Sequence, residues 1–81
     1  MEKRIGTALI QIENRDNISL LNETISKHSS IIIARQGLPR QNGISIISLV
    51  LEGTTDEIGS LTGQLGRIRG IQVKSVLLKN K

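Results

Sequence analysis

From Arg4 to Glu13 apolar and polar positions alternate, with Gly6, Ala8, Ile10 and Ile12 on one face of an extended segment and Ile5, Thr7, Leu9 and Gln11 on the other. This predicts a first strand. The period then changes: Ile18, Leu21 and Ile25 follow the i, i+3, i+7 spacing of a helix face, and His28 falls next on the same stripe. Asp16 or Asn17 stands where a side-chain oxygen accepts from the free amides of a helix's first turn. The stretch SIIIARQ, Ser30 to Gln36, is rich in β-branched residues and predicts a second strand that stops at Gly37. GLPRQNG follows, with the only proline and an Asn-Gly pair, and suits a hairpin loop.

The third strand, ISIISLVLE from Ile44 to Glu52, is apolar on both faces. Thr54 and Glu57 have the spacing of a capping box, in which each residue's side chain satisfies the other's backbone amide. They open a helix whose apolar stripe is Ile58, Leu61, Leu65 and Ile68, and Gly70 is placed to end it, because glycine enters the left-handed conformation without steric cost. Ile71 to Lys79 supplies a fourth strand. The order βαββαβ predicts an α+β, ferredoxin-like fold: a four-stranded antiparallel sheet with two helices on one face and the first and third strands at its centre. A chain of 81 residues has room for one such domain, residues 1–81, and one core.

The two-sided third strand bears on assembly. Ile44, Ile46 and Val50 lie on one side and Ile47, Leu49 and Leu51 on the other, so whichever face the helices leave bare carries large aliphatic side chains. Covering that face with a second copy predicts a homo-oligomer, and Leu49→Glu would dissociate it if Leu49 faces outward. Gly59, Gly63 and Gly66 point away from the apolar stripe of the second helix. Exposed glycines within a helix cost about 1 kcal/mol each relative to alanine, which makes sense where another backbone approaches closely; local flexibility is the alternative. Two separate surfaces permit a dimer or a tetramer.

Composition removes several function classes. The net charge of +4 comes from cations spread along the chain, clustered only as Lys3–Arg4 and Arg67–Arg69. With no Phe, Tyr or Trp, the open sheet face lacks the aromatic platform on which ferredoxin-like domains stack RNA bases, and nothing before the first strand suits direct DNA reading. No direct nucleic-acid binding is expected, so any role in transcription runs through a protein partner. The chain has no cysteine and one histidine, His28; no metal site, cofactor or nucleophile with its base is expected, and the protein is read as a non-enzyme. No run approaches the roughly 18 apolar residues of a membrane span, and a cytoplasmic location is expected.

Two stretches carry a family resemblance. IENRDNISLLNETISKHSSIIIARQG resembles the first half of an ACT domain, in which a strand ends in an Asn/Asp-Arg-Pro-Gly-like corner before the first helix. The resemblance implies a small ligand, often an amino acid, held at that corner against a neighbouring subunit, here by Asn14, Arg15, Asp16 and Asn17. Asn14 and Arg15 fit the pattern, whereas Asp16 and Asn17 stand where Pro and Gly are common; a helix cap built of polar side chains is the plain alternative. DEIGSLTGQLGRIRGIQVKSVLLK, with ARQGLP and IISLVLE, is similar to the family of iron-only hydrogenase system regulators over essentially the whole chain. That family resembles free-standing ACT-like domains and the ligand-binding domain of the nickel-responsive repressor, whose His- and Cys-based metal ligands have no counterpart here. The resemblance implies an oligomeric regulatory domain that senses a small molecule. The alternative is a structural or adaptor subunit that binds another protein and no metabolite.

Overall fold

The structure, a computed structural model, describes residues 2–39 and 44–79. The elements run β1 (Arg4–Ile12), α1 (Ile18–Lys27), β2 (Ile32–Pro39), β3 (Ser45–Gly53), α2 (Thr55–Gly66) and β4 (Ile71–Leu77), with a 3-10 turn at Ser29–Ile31 ahead of β2. The strands form one antiparallel sheet in the order β2-β3-β1-β4, so β1 and β3 are central. The ferredoxin-like arrangement is the one the periodicities dictate: four strand segments whose sheet must bury a face, joined to two amphipathic helices that supply the cover.

One face of the sheet makes the core. Ala8, Ile10 and Ile12 of β1 and Ile47, Leu49 and Leu51 of β3 are buried together with Leu21 and Ile25 of α1 and Ile58, Leu61, Leu65 and Ile68 from α2 and its end. The third strand's two apolar sides are thereby told apart. Ile47, Leu49 and Leu51, expected as interface candidates, belong to the monomer's interior, with Leu49 and Leu51 wholly inaccessible. They cannot form an outer contact, because the helices occupy their face. Ile44, Ile46 and Val50 are half-buried, and Ile46 and Val50 pair with Leu38 and Ala34 on the opposite, uncovered face.

At Gly6 β1 and β4 come so close that a Cβ would stand 2.5 Å from Leu77 Cδ2 and 2.8 Å from the Val76 carbonyl oxygen. A side chain there would push the two strands apart. The capping box of α2 forms in full: Glu57 N–H donates to Thr54 Oγ1 at 3.1 Å, and Thr54 N–H donates to Glu57 Oε1 at 2.8 Å.

Three local expectations are corrected. α2 ends at Gly66, and Gly70, in the left-handed conformation at φ 86°, instead closes the turn that feeds β4. β2 begins two residues late, because Ser30 and Ile31 wind into the 3-10 turn, and it continues through Gly37 to Pro39, beyond the stop read from the glycine. β2 is an edge strand, where proline and glycine are tolerated because half the backbone has no ladder to complete. Neither Asp16 nor Asn17 caps α1: Asn17 holds the N-cap position without a side-chain cap bond. The Asn-Gly pair of the expected hairpin loop lies outside the described residues.

Candidate functional site

The corner between β1 and α1 is tied down by its own side chains. Glu13 N–H donates to the Gly70 carbonyl at 2.8 Å, and Asn17 Nδ2 donates to the Arg69 carbonyl at 3.1 Å. Asn14 Oδ1 accepts from Asp16 N–H at 3.2 Å, an Asx-type turn, while its amide group lies against Gly70. Asn14 and Asn17 therefore join the corner to the turn between α2 and β4. Asp16 is exposed beside them. Ile18 N–H donates to the Arg15 carbonyl at 3.2 Å at the start of the helix, and the Arg15 side chain lies on the other side of the corner.

There Arg15 lines an open cleft of about 390 Å³ between the start of α1 and the β2–β3 ribbon. Its Nη1 donates to Ser45 Oγ at 3.3 Å, across the cleft mouth. Arg35, Asn22 and Ser45 are the other polar side chains of the lining, and Ile12, Ile18 and Ile47 are among the apolar ones. Of the four corner residues expected to hold a ligand, only Arg15 reaches this cleft; Asn14 and Asn17 face the Arg69–Gly70 turn.

Arg35 has no place in the expected set, and a register irregularity explains why. Ile32 pairs with Leu51 and Ala34 with Val50, leaving Ile33 as the extra residue of a β-bulge. Beyond it the strand's faces exchange, so that Arg35 pairs with inward-facing Leu49 and projects on the helix side of the sheet. Simple alternation from Ile32 would send Arg35 outward. The signal available in the sequence is a single cation within the strand Ile32–Pro39.

His28 sits in a different hollow, lined by Lys27, His28, Ser30, Ile31, Asp56, Glu57 and Ser60. Its Nδ1 lies 2.7 Å from the Thr24 carbonyl, which can only accept, so Nδ1 carries the proton and Nε2 accepts from Ser60 Oγ at 3.3 Å. Gln64 Nε2 donates to the same hydroxyl at 3.0 Å. The imidazole is thereby used as a clasp between α1 and α2, and among the described residues no group of three possible metal ligands forms.

Gly59 and Gly63 line a shallow groove on the outside of α2 with Ser60, Gln64 and Arg67, and a Cβ at either glycine would meet nothing within 4 Å. Gly66 differs from them: its added Cβ would touch Val73 Cγ1 of β4 at 3.6 Å. The uncovered sheet face carries Ile5, Leu9, Val76 and Leu78, all exposed, and Ile5, Thr7, Val50, Val76 and Leu78 frame an apolar hollow at one end of it. No helix among the described residues is long and apolar enough to cross a membrane.

The order of elements and the antiparallel sheet with two helices on one face are those of an ACT-like domain. The ACT domain of GTP pyrophosphokinase from Chlorobium tepidum superposes with a TM-score of 0.75 at 19% identity, over 91% of this chain and 99% of that one. Residues 4–75 match the TM1266-like family, described as "Iron-only hydrogenase system regulator, putative", and the chain belongs to that family. The uncharacterized protein TM1266 from Thermotoga maritima is similar at 40% identity and a TM-score of 0.90, covering 96% of this chain and 100% of that one. The C-terminal domain of the MgtC protein from Mycobacterium tuberculosis shares the fold at 11% identity, with a TM-score of 0.70 over 91% of this chain and 86% of that one. No match to a curated protein was found.

Proposed function

We propose that this chain is a cytoplasmic, non-catalytic regulatory domain of the iron-only hydrogenase system, and that it works as a homo-oligomer whose corner cleft senses a small molecule. The observation that carries the reading is the open cleft at the β1–α1 corner. Arg15, at the position where ACT-like domains carry their ligand corner, faces it, while Asn14 and Asn17 make the rigid hinge behind it. A ligand seated there touches α1, β2 and β3 at once and can change how a second subunit meets them. The bare aliphatic surface around Ile5, Val76 and Leu78 supports assembly, since leaving such side chains wet forgoes about 1.5–3 kcal/mol for each that would be fully buried. The same surface would serve a protein partner in the adaptor reading.

A thermal-shift screen of the purified protein against amino acids, nucleotides and small organic acids, paired with light scattering, tests the reading. A ligand that binds only the folded state adds about 2.7 kcal/mol at one hundred times its dissociation constant. Stabilisation together with a change in the mass distribution is expected. An oligomer that no small molecule stabilises or rearranges, yet which captures a hydrogenase-system protein, moves the function to the adaptor reading.

A further inference from the structure

The cleft has a chemical bias that its position does not explain. Two guanidinium groups, Arg15 and Arg35, line it, and no carboxylate does, although the chain holds seven acidic residues. Several of those acids are committed elsewhere: Glu57 to its capping box, Glu23 to Lys27 at 3.7 Å, and Glu13 to the Gln11 amide. Among the described residues neither arginine has an ion pair. Arg15 has only the neutral Ser45 hydroxyl for a partner. The hollow around His28 makes the contrast, because there Lys27 is matched by Asp56 and Glu57 in the same lining.

Two like charges facing one apolar-floored hollow repel each other and attract counter-charge. The bulge at Ile33 makes the arrangement a product of the fold: it brings Arg35 to the helix side of the sheet, where regular alternation would place Ala34. The floor of Ile12, Ile18 and Ile47 offers nothing to an ion alone but suits a hydrocarbon body attached to one. Guanidinium forks fit the planar carboxylate and the phosphate oxygens equally well.

We propose that the cleft takes a small molecule bearing a carboxylate or a phosphate on an apolar body, with the anion held by Arg15 and Arg35 and the body laid against Ile12, Ile18 and Ile47. This rests on the reading of the corner cleft as the sensing site and assigns the ligand's chemical class. Asn22 and Ser45 add neutral hydrogen-bonding groups at its edge. Both arginines are exposed, so replacing either leaves the core intact.

The test is a two-dimensional amide NMR titration of the full chain with three probes of matched body: isocaproate, isopentyl phosphate and the neutral isocaproamide. At about 10 mM a fragment of millimolar affinity is close to saturation. The expected result is saturable shifts clustered at Arg15, Arg35 and Ser45 with one or both anions, at least tenfold weaker with the amide, and weakened by added salt. Arg35→Gln should lower the affinity for the anion by about tenfold or more and Arg35→Lys by less, because a charged hydrogen bond is lost in the first and only the fork in the second. The relative strength of the carboxylate and phosphate arms names the headgroup. Equal binding of the amide in the cleft, unaffected by Arg35→Gln, overturns the anionic class and leaves the sensing reading standing. No shift at the cleft with any probe overturns the proposal; if the broad thermal-shift screen is also blank, the sensing reading falls with it.

Discussion

The Asn14 side chain lies against the bare Cα of Gly70, where an added methyl would stand 2.6 Å from Asn14 Oδ1 and 2.7 Å from its Nδ2. The contact joins the two turns at the same end of the sheet. Gly70 is also held at φ 86°, so an alanine there meets backbone strain and collision together. Gly70→Ala is expected to cost about 2 kcal/mol or more, read from the urea midpoint. A midpoint within error of the parent would mean that the corner gives way freely.

The capping box of α2 supplies a pH-dependent contribution. Glu57 is held below its ordinary carboxyl value of 4.5, first because the Thr54 backbone N–H donates to it; desolvation opposes this, and the Thr54 side chain and the positive charge of Lys3 lower it further. The folded state therefore binds this proton more weakly than the unfolded chain. The stabilisation is fully present above the unfolded value and is lost as pH falls through the lower folded value. The stability advantage of the parent over Glu57→Gln should shrink as the medium is acidified through that window. Thr54→Ala, which removes the reciprocal bond, should cost about 1 kcal/mol at neutral pH.

Leu49 and Val50 are chain neighbours on opposite faces, one wholly buried under the helices and one half-buried on the uncovered side. Leu49→Glu places a carboxylate in the core and should unfold the domain, so it cannot report on assembly. Val50→Glu should leave the circular-dichroism spectrum unchanged while lowering the mass seen by light scattering, if the bare sheet face is the contact between copies. A folded Val50→Glu protein of undiminished mass would move the contact away from this face.

Gly59 and Gly63 have open space where a Cβ would go. Replacing each by alanine should stabilise the helix by up to about 1 kcal/mol per site. If a second backbone packs on them, the double variant gains thermal stability as a subunit yet associates more weakly. Measuring midpoint and mass together separates that from glycines that merely loosen the helix.

What was legible in the sequence follows from how local each cause is. The capping box needs two residues three apart and formed as read. The inward side chains of β1 and the stripe of α2 needed only a constant period. The second strand breaks its period at Ile33, so the face of Arg35 depends on pairing with β3 and on nothing within the strand itself. Asn17 was misread for a related reason. Its side chain had two possible partners, the first turn of its own helix and the Arg69 carbonyl, and the second lies 52 residues away. The cleft was invisible because its lining comes from β1, α1, β2 and β3 together. The candidate interface split along a line that sequence symmetry hides: both sides of β3 are aliphatic, and only the packed helices decide which is inside.

The extra residue at Ile33 separates two inheritances that a regular strand would keep together. Ahead of it Ile32 packs against the core; after it Arg35, Gly37 and Pro39 pair with the helix-side residues Leu49, Ile47 and Ser45, and Ala34, Gln36 and Leu38 pair on the other side. Without Ile33, Ile32 and Ala34 would be neighbours opposite Leu51 and Val50 in an unbroken ladder, and Arg35 would stay on the helix side. The face of Arg35 is thus set by its partner Leu49 and not by its distance from Ile32, so this edge strand can gain or lose a residue at the bulge while the arginine, the core and the central strands keep their places.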